Sequence, residues 1–243
     1  MALWQYGLLL ASALLGGGLA VWSSDRVRSF LPTLLSFSGA YLLAIAALEL
    51  IPEVFTSPAG GAGVWLLIGF FIQLLLEGFS QGVEHGHVHA HREAGYGYAL
   101  QVMIGLGLHA FLEGLPLGAQ AGLVEGQPAH LHGEHLLFGI VLHKLPAAFA
   151  LGLLLRGSGY SRLLILSCLT IFGLLSPLGG VVGQIVSIDP VWRVRILAVV
   201  IGSFLHISTT ILFEADGSRA HGISPRKFIV IVLGMTVAYL TVH

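Results

Sequence analysis

Long apolar runs separated by short polar connections dominate the pattern of this chain. A helix that crosses a bilayer needs about 20 mostly apolar residues, and runs of that length recur along the sequence. The connections contain breakers, such as the glycines around Ser158 and the proline at Pro58. The pattern predicts an all-α polytopic membrane protein with eight transmembrane helices, near 5–22, 33–55, 63–84, 97–121, 135–155, 162–186, 193–213 and 227–242.

Composition agrees with a surface that faces lipid. Hydrophobic types make up 56% of the 243 residues and charged types 9%, and the mean hydropathy is +0.89. Because soluble domains carry about 25% charged residues, this chain has too few charges to cover a water-facing surface. The net charge of −1 provides no basic field for nucleic acid. The single cysteine, Cys168, excludes an internal disulfide framework and a cysteine-rich zinc site.

Basic residues are distributed unequally between the two sets of loops. If both termini lie outside, eight of the 11 lysines and arginines fall in cytoplasmic loops, two (Arg193 and Arg195) fall in outer loops, and Lys144 lies within helix 5. Because basic residues favour cytoplasmic loops, this topology is the predicted one. We expect residues 1–243 to form a single transmembrane domain, with the first apolar run retained as a helix, in the inner (plasma) membrane of a bacterium.

Helices 2 and 7 resemble each other weakly. Helix 2 contains Gly39-Ala40-Tyr41-Leu42, helix 7 contains Gly202-Ser203-Phe204-Leu205, and both runs end near a glutamate. This similarity is expected if helices 1–3 and 6–8 form an inverted repeat around the central helices 4–5. Transporters often have such repeats, with the substrate site near the middle of the membrane.

Polar residues inside predicted membrane helices are candidates for chemistry, because they are costly in lipid. Helix 4 carries His109 and Glu113, whose spacing of four places both side chains on one face. Helix 5 carries His143 and Lys144 shortly before a proline. Imidazole nitrogens and carboxylate oxygens suit Zn²⁺ and its first-row neighbours. If helices 4 and 5 pack together, His109, Glu113 and His143 would converge on one metal ion.

Other polar residues are open to two interpretations. Glu49 on helix 2 is either a further ligand or entrance group for the ion or a carboxylate near the membrane interface. His206 on helix 7 either lines the ion pathway or makes a polar contact between helices. Histidine-rich tracts bind metal, so the predicted loop 85–96 either captures metal or serves as a spacer; its histidines are His85, His87, His89 and His91. A second histidine group, in or beside the predicted loop 122–134 on the opposite side, comprises His130, His132 and His135.

The motifs His-Ala-x-x-Glu-Gly on helix 4 and His-Lys-x-Pro on helix 5 resemble those of the ZIP (Zrt/Irt-like) divalent metal transporters. The eight helices, Pro52-Glu53 at the end of helix 2 and the histidine-rich loop agree with this family. The resemblance implies transport of Zn²⁺ or another divalent metal into the cytoplasm, with the ion as substrate and no enzyme activity. The expected partners are the metal ion and the lipid bilayer, and a homodimer is compatible with this interpretation.

Departures from the family pattern concern a second metal. Many members have asparagine, acidic and further histidine residues where this chain has Ala110, Lys144, Ala147 and Ala148. The resemblance therefore implies a mononuclear site, in which we expect Lys144 to replace the second cation and pair with Glu113. A membrane metal sensor and an intramembrane zinc hydrolase are the alternatives, although the sequence contains no His-Glu-x-x-His motif.

Overall fold

The computed structural model of the protein describes residues 1–22, 28–88, 95–120, 129–186, 188–213 and 224–243, apart from the side chains of 120 and 129–132. Regular structure within these ranges is entirely helical. The long helices are α1 (Leu3–Trp22), α2 (Leu31–Thr56), α3 (Ala62–Ser80), α4 (Tyr96–Gln120), α5 (Ala129–Gly157), α6 (Arg162–Ile185), α7 (Pro190–Phe213) and α8 (Pro225–Val242). All eight are long and apolar enough to cross a membrane, which confirms the predicted polytopic fold.

Two helix boundaries differ from the prediction by four residues or more. Helix α3 ends at Ser80 rather than at 84, and a short 3₁₀ helix, Val83–His85, follows it. Helix α5 begins at Ala129 rather than at 135, so the predicted histidine-rich loop 122–134 is shorter than expected. The first turns of α5 contain polar residues, which are compatible with a helix but interrupt the apolar run. The prediction from the apolar run therefore began the helix too late.

Helix α2 contains a π-helical turn, Ala46–Leu50, directly before Ile51–Thr56. Pro52 has no N–H and its ring crowds the carbonyl one turn earlier, so a widened turn accommodates it without ending the helix. Glu49 lies within this widened turn and is 6% exposed. The proline therefore accounts locally for the irregular backbone that carries a buried carboxylate.

The helices form two groups of four. In the first group, α1 packs against α5 and α6, and α4 packs against α6. In the second group, α3 packs against α7, and α2 packs against α7 and α8. The groups meet where α4 contacts α3 and α7 and where α5 contacts α2. The inverted repeat stays a prediction. Such a repeat would make α1 equivalent to α6 and α4 equivalent to α5. The α1–α5 contact would then correspond to the α4–α6 contact, and both are present.

Helices α4 and α6 approach each other closely through small residues. A Cβ atom added to Gly114 would clash with the carbonyl oxygen of Ser176, and one added to Gly118 would clash with that of Gly180. Small residues one turn apart let helix backbones meet in this way in membranes. The close approach brings Ser176 of α6 against the turn of α4 that carries the candidate ligand Glu113.

Large apolar side chains are exposed on the outward faces of the second group. Leu67, Phe71 and Leu75 of α3 are each more than half exposed, and Phe228 and Leu233 of α8 are as well. Leaving so many large apolar side chains on a surface would be unfavourable in water. These faces are therefore suited to contact with lipid tails.

Candidate metal site

The three predicted ligands lie together inside the helix bundle. His109 and Glu113 of α4 are 3% and 2% exposed, and Nε2 of His109 lies 3.4 Å from Oε2 of Glu113. His143 of α5 faces them, with its ring centroid 6.1 Å from that of His109 and the ring planes at 87°. The i, i+4 spacing on α4 and the neighbouring position of α5 thus bring two imidazoles and one carboxylate to one place.

The separation of the two rings can be compared with that expected around zinc. With Zn–N bonds of about 2.0–2.1 Å and tetrahedral angles, the centroids of two imidazole ligands lie about 5 Å apart. The observed 6.1 Å is longer by on the order of 1 Å. Within the described residues, no group of three or more His, Cys, Asp or Glu side chains is already arranged around a metal position. Small side-chain rotations are therefore required for joint coordination.

Three buried ring nitrogens of this cluster have no hydrogen-bond partner in the described part of the chain. They are both ring nitrogens of His143 and Nε2 of His109. Buried polar atoms are nearly always hydrogen-bonded, and leaving one unpaired costs about 1–3 kcal/mol. An imidazole nitrogen with a free lone pair is what a metal ion requires, so the unpaired atoms mark this place as a candidate ligand site.

The expected pairing of Lys144 with Glu113 is present. Its Nζ donates to Oε1 of Glu113 at 2.8 Å and to Oγ of Ser176 at 2.5 Å, and it lies 4.2 Å from the ring centroid of Phe172. The Ser176 hydroxyl donates to the same carboxylate oxygen at 2.6 Å. Oε1 of Glu113 is thus held by two donors, whereas Oε2 faces His109. The lysine also balances the carboxylate charge, which a buried site requires.

The groups that hold the other side of His109 were not indicated by the sequence pattern. Nδ1 of His109 lies 3.1 Å from Oε1 of Gln73 on α3 and 3.3 Å from Oγ of Ser203 on α7. Gln73 is 1% exposed. The rule that polar residues deep in membrane helices mark a site applies to Gln73 as well as to the histidines, and it is the signal that could have found it.

A second histidine–carboxylate pair connects α2 and α5. Nδ1 of His135 lies 3.0 Å from each carboxylate oxygen of Glu49. Both side chains are largely buried. This contact leaves both predictions for Glu49 open: a further ligand or entrance group, and a carboxylate near the membrane interface.

A third group surrounds Glu77 near the end of α3. Its carboxylate oxygens lie 3.1 Å from Nε2 of His85 and 2.5 Å from Nε2 of His206. His85 is buried within the 3₁₀ helix, and its ring packs 5.0 Å from that of His87. The first histidine of the tract therefore belongs to the folded bundle rather than to an open loop. Two more histidines named above, His89 and His91, lie outside the described residues, as do the side chains of His130 and His132.

A cavity of about 240 Å³ lies where α2, α4 and α7 meet. Its walls include Glu53, Pro116 and Arg193, and most of the remaining lining is apolar. Pro116 lies less than one turn beyond Glu113 on α4. The cavity therefore reaches the helix turn next to the candidate ligands.

Known proteins with similar sequences were found for most of the chain. Residues 82–241 match the family described as ZIP zinc transporter. Zinc transporter ZIP9-B of Xenopus laevis is 28% identical over 195 residues, which cover 72% of this chain and 62% of that protein. Zinc transporter ZIP9 of Xenopus tropicalis is 28% identical over 173 residues, covering 67% of this chain and 55% of that protein.

The chain thus spans between 55% and 62% of the length of these relatives. The family match covers both candidate ligand helices, including the His-x-x-x-Glu-Gly and His-Lys-x-Pro motifs at His109 and His143. The eight apolar helices agree with an integral membrane protein. This chain belongs to the ZIP zinc transporter family.

Proposed function

We propose that this protein carries a divalent metal ion, with zinc as the expected cargo, across the membrane toward the cytoplasm. The ion would bind at one site made by His109, Glu113 and His143. The observation that carries the proposal is the set of buried ring nitrogens without partners beside a carboxylate. The word zinc in the names of the relatives supports the choice of metal.

Lys144 gives the site a charge balance that suits transport. Without metal, the lysine and Glu113 together carry no net charge, and the two imidazoles can remain neutral. A divalent ion would therefore bind to a site of zero net charge rather than to a surplus of carboxylates. Binding of moderate strength follows, and a carried ion must be able to leave.

The proposed site holds one ion. Ala110, Ala147 and Ala148 are each at most 2% exposed and offer no side-chain donor. Lys144 lies 2.8 Å from Glu113 and supplies the positive charge that a second cation would otherwise supply. These features support a mononuclear site, in contrast to the two-metal pattern that the family resemblance describes.

Histidine–carboxylate groups on either side of the site support a pathway. In the predicted topology, Glu49 and His135 lie toward the outside, and Glu77 with His206 lies toward the cytoplasm. Each group combines an oxygen and a nitrogen donor of the kinds that bind zinc. Metal capture by the loop histidines, a homodimer and a bacterial plasma membrane remain predictions that go with this proposal.

The proposal is tested by flux into proteoliposomes loaded with a zinc-sensitive dye. His109→Ala, Glu113→Ala and His143→Ala should each reduce zinc flux severely, since a three-ligand site in a low dielectric cannot replace a lost ligand. His243→Ala, at the end of α8, is the matched histidine control and should keep wild-type flux. Wild-type flux in all three site variants would mean that the metal is bound elsewhere. Zinc binding without flux would favour a sensor, and zinc-dependent hydrolysis would favour an enzyme.

A further inference from the structure

We propose that Gln73 and Glu84 are positioning residues that fix the tautomer of His109, so that its Nε2 offers a lone pair to the metal. The inference rests on the proposed function, because it assigns a task to residues behind a proposed ligand. Neither residue touches the proposed metal position. They act through His109, and they come from α3 and from the 3₁₀ helix rather than from the helices that carry the ligands.

A chain of hydrogen bonds connects the three side chains. Nε2 of Gln73 donates to Oε1 of Glu84 at 2.9 Å. On the other end of the amide, Oε1 of Gln73 accepts from Oγ of Ser203 at 2.8 Å and lies 3.1 Å from Nδ1 of His109. Gln73 and Glu84 are 1% and 0% exposed, so water does not compete for these bonds.

Donors and acceptors alternate in a fixed order along this series of hydrogen bonds. The NH₂ end of the Gln73 amide donates to Glu84, and the amide has its oxygen at the opposite end. The amide oxygen then faces His109. Because an amide oxygen only accepts, the 3.1 Å contact is a hydrogen bond when Nδ1 of His109 carries the proton. A neutral imidazole has one N–H, so Nε2 keeps its lone pair, 3.4 Å from Oε2 of Glu113.

The opposite tautomer would be costly in this place. Turning the Gln73 amide would set its oxygen against Glu84 and its NH₂ group against His109. The hydrogen bond from Gln73 to Glu84 would be lost, at about 1–3 kcal/mol, and the Ser203 hydroxyl would have to change from donor to acceptor. The other oxygen of Glu84, Oε2, has no hydrogen-bond partner in the part of the chain that the structure describes. Among the described residues, the Gln73 amide is thus the hydrogen-bond donor to this carboxylate.

The fold places Gln73 through close helix contact. A Cβ atom at Gly69 or at Gly202 would overlap the backbone of the opposite helix, so α3 and α7 touch there. Gln73 lies one turn after Gly69, and Ser203 directly follows Gly202. The contact therefore brings the amide and the hydroxyl together beside α4.

The fold places Glu84 through a tight turn after α3. Gly82 and Gly86 have φ of 70° and 99°, which favour glycine. The N–H groups of Gly86 and His87 donate to the carbonyl oxygens of Val83 and Gly82 at 3.1 and 3.0 Å. This turn folds the start of the histidine-rich segment back toward the bundle, where Glu84 is buried against Gln73 of α3.

Partners behind a metal-bound histidine typically change metal affinity or activity by 10–100-fold when they are removed. Gln73→Leu removes the acceptor for Nδ1–H. Glu84→Gln places an amide at position 84, which can either accept from Gln73 or donate to it. The orientation of the Gln73 amide is then no longer fixed. We expect both variants to bind Zn²⁺ about 10–100-fold more weakly than the wild type.

A reciprocal exchange provides the rescue test. In the double variant Gln73→Glu with Glu84→Gln, a carboxylate at 73 accepts from Nδ1–H, and the new amide at 84 donates to that carboxylate. Net charge and atom number barely change, and the tautomer of His109 should be restored. Ser208→Ala is the matched control: Ser208 is fully buried on α7, and its hydroxyl has no hydrogen-bond partner among the described residues.

The experiment measures Zn²⁺ affinity of the purified full chain in detergent and the ¹⁵N NMR spectrum of histidine-labelled protein without metal. The His109 signals are identified by their loss in His109→Gln. Wild type, the double variant and Ser208→Ala should show an Nδ1–H tautomer and similar affinity, whereas Gln73→Leu and Glu84→Gln should lose both. An Nε2–H tautomer in the wild type, or single variants that bind zinc like Ser208→Ala, would overturn the inference.

The two readouts separate this inference from the proposed function. If zinc flux is absent but the tautomer follows the variants as described, the transport proposal fails and the positioning role stands. If flux and its loss in His109→Ala are as proposed but Gln73→Leu has wild-type affinity, the positioning role fails alone. If Gln73→Leu does not fold, Glu84→Gln and the reciprocal double variant, both close in shape to the wild type, decide the question.

Discussion

Lys144→Met removes the buried cation beside Glu113 while keeping a side chain of similar length. In the wild type, the ammonium lies 2.8 Å from the carboxylate, and neither residue is more than 2% exposed. Removing one partner of a buried pair costs about 3–5 kcal/mol, because the remaining charge is left uncompensated. The metal-free variant should therefore be less stable than the wild type by roughly that amount.

A bound divalent ion would compensate the same carboxylate. If the ion recovers most of the lost 3–5 kcal/mol, zinc affinity should rise by about 10²–10³-fold, since each 1.4 kcal/mol is a factor of ten. Zinc should then stabilise Lys144→Met against heat much more than it stabilises the wild type. Tighter binding also slows release, so flux at saturating zinc should fall.

Thermal unfolding with and without zinc, together with a binding titration, checks this prediction. Lys144→Arg keeps the charge and should remain closer to the wild type. The double variant Lys144→Met with Glu113→Gln removes both charges, so it should recover stability without binding zinc tightly. A Lys144→Met variant with unchanged metal-free stability and unchanged zinc affinity would refute the claim that Lys144 balances Glu113.

Three further predictions concern topology, the loop and helix packing. A cysteine at Ser57 should react with a membrane-impermeant thiol reagent from outside intact cells, whereas one at His87 should react only after permeabilisation; the reverse pattern would invert the topology. Replacing His87, His89 and His91 by serine should leave saturating flux largely intact, and loss of flux would move the essential site into the loop. Gly118→Val should destabilise the α4–α6 contact by about 1–3 kcal/mol, measured as a lower unfolding temperature; an unchanged temperature would contradict the close packing.

The helices and the ligand face of α4 could be predicted because both follow from local rules. Bilayer thickness fixes the length of an apolar run, and the spacing of His109 and Glu113 fixes their common face. The pairing of Lys144 was anticipated from charge balance, although on a regular helix Lys144 points about 100° away from His143. Ser176, which bonds both Lys144 and Glu113, could not be found locally, since its place depends on the contact between α4 and α6.

The groups around the site depended on tertiary structure. The sequence pattern places Glu84 at the end of the predicted helix 63–84 and His85 in the predicted loop 85–96, yet two glycines turn that segment back into the bundle. Glu77 is near the end of an apolar helix, where an interfacial carboxylate is the ordinary expectation. Its contacts with His85 and His206 come from elements far apart in sequence, and no periodicity within one helix indicates them.

The central claim is that one divalent ion binds between α4 and α5, held by His109, Glu113 and His143. Anomalous scattering from crystals of the protein soaked in Cd²⁺, a heavier ion with similar ligand preferences, tests it directly. The account predicts a single strong peak between these helices, bonded to Nε2 of His109, to Oε2 of Glu113 and to a ring nitrogen of His143, with Lys144 still on Oε1. Two peaks between α4 and α5, no peak there, or Lys144 turned toward lipid would contradict it.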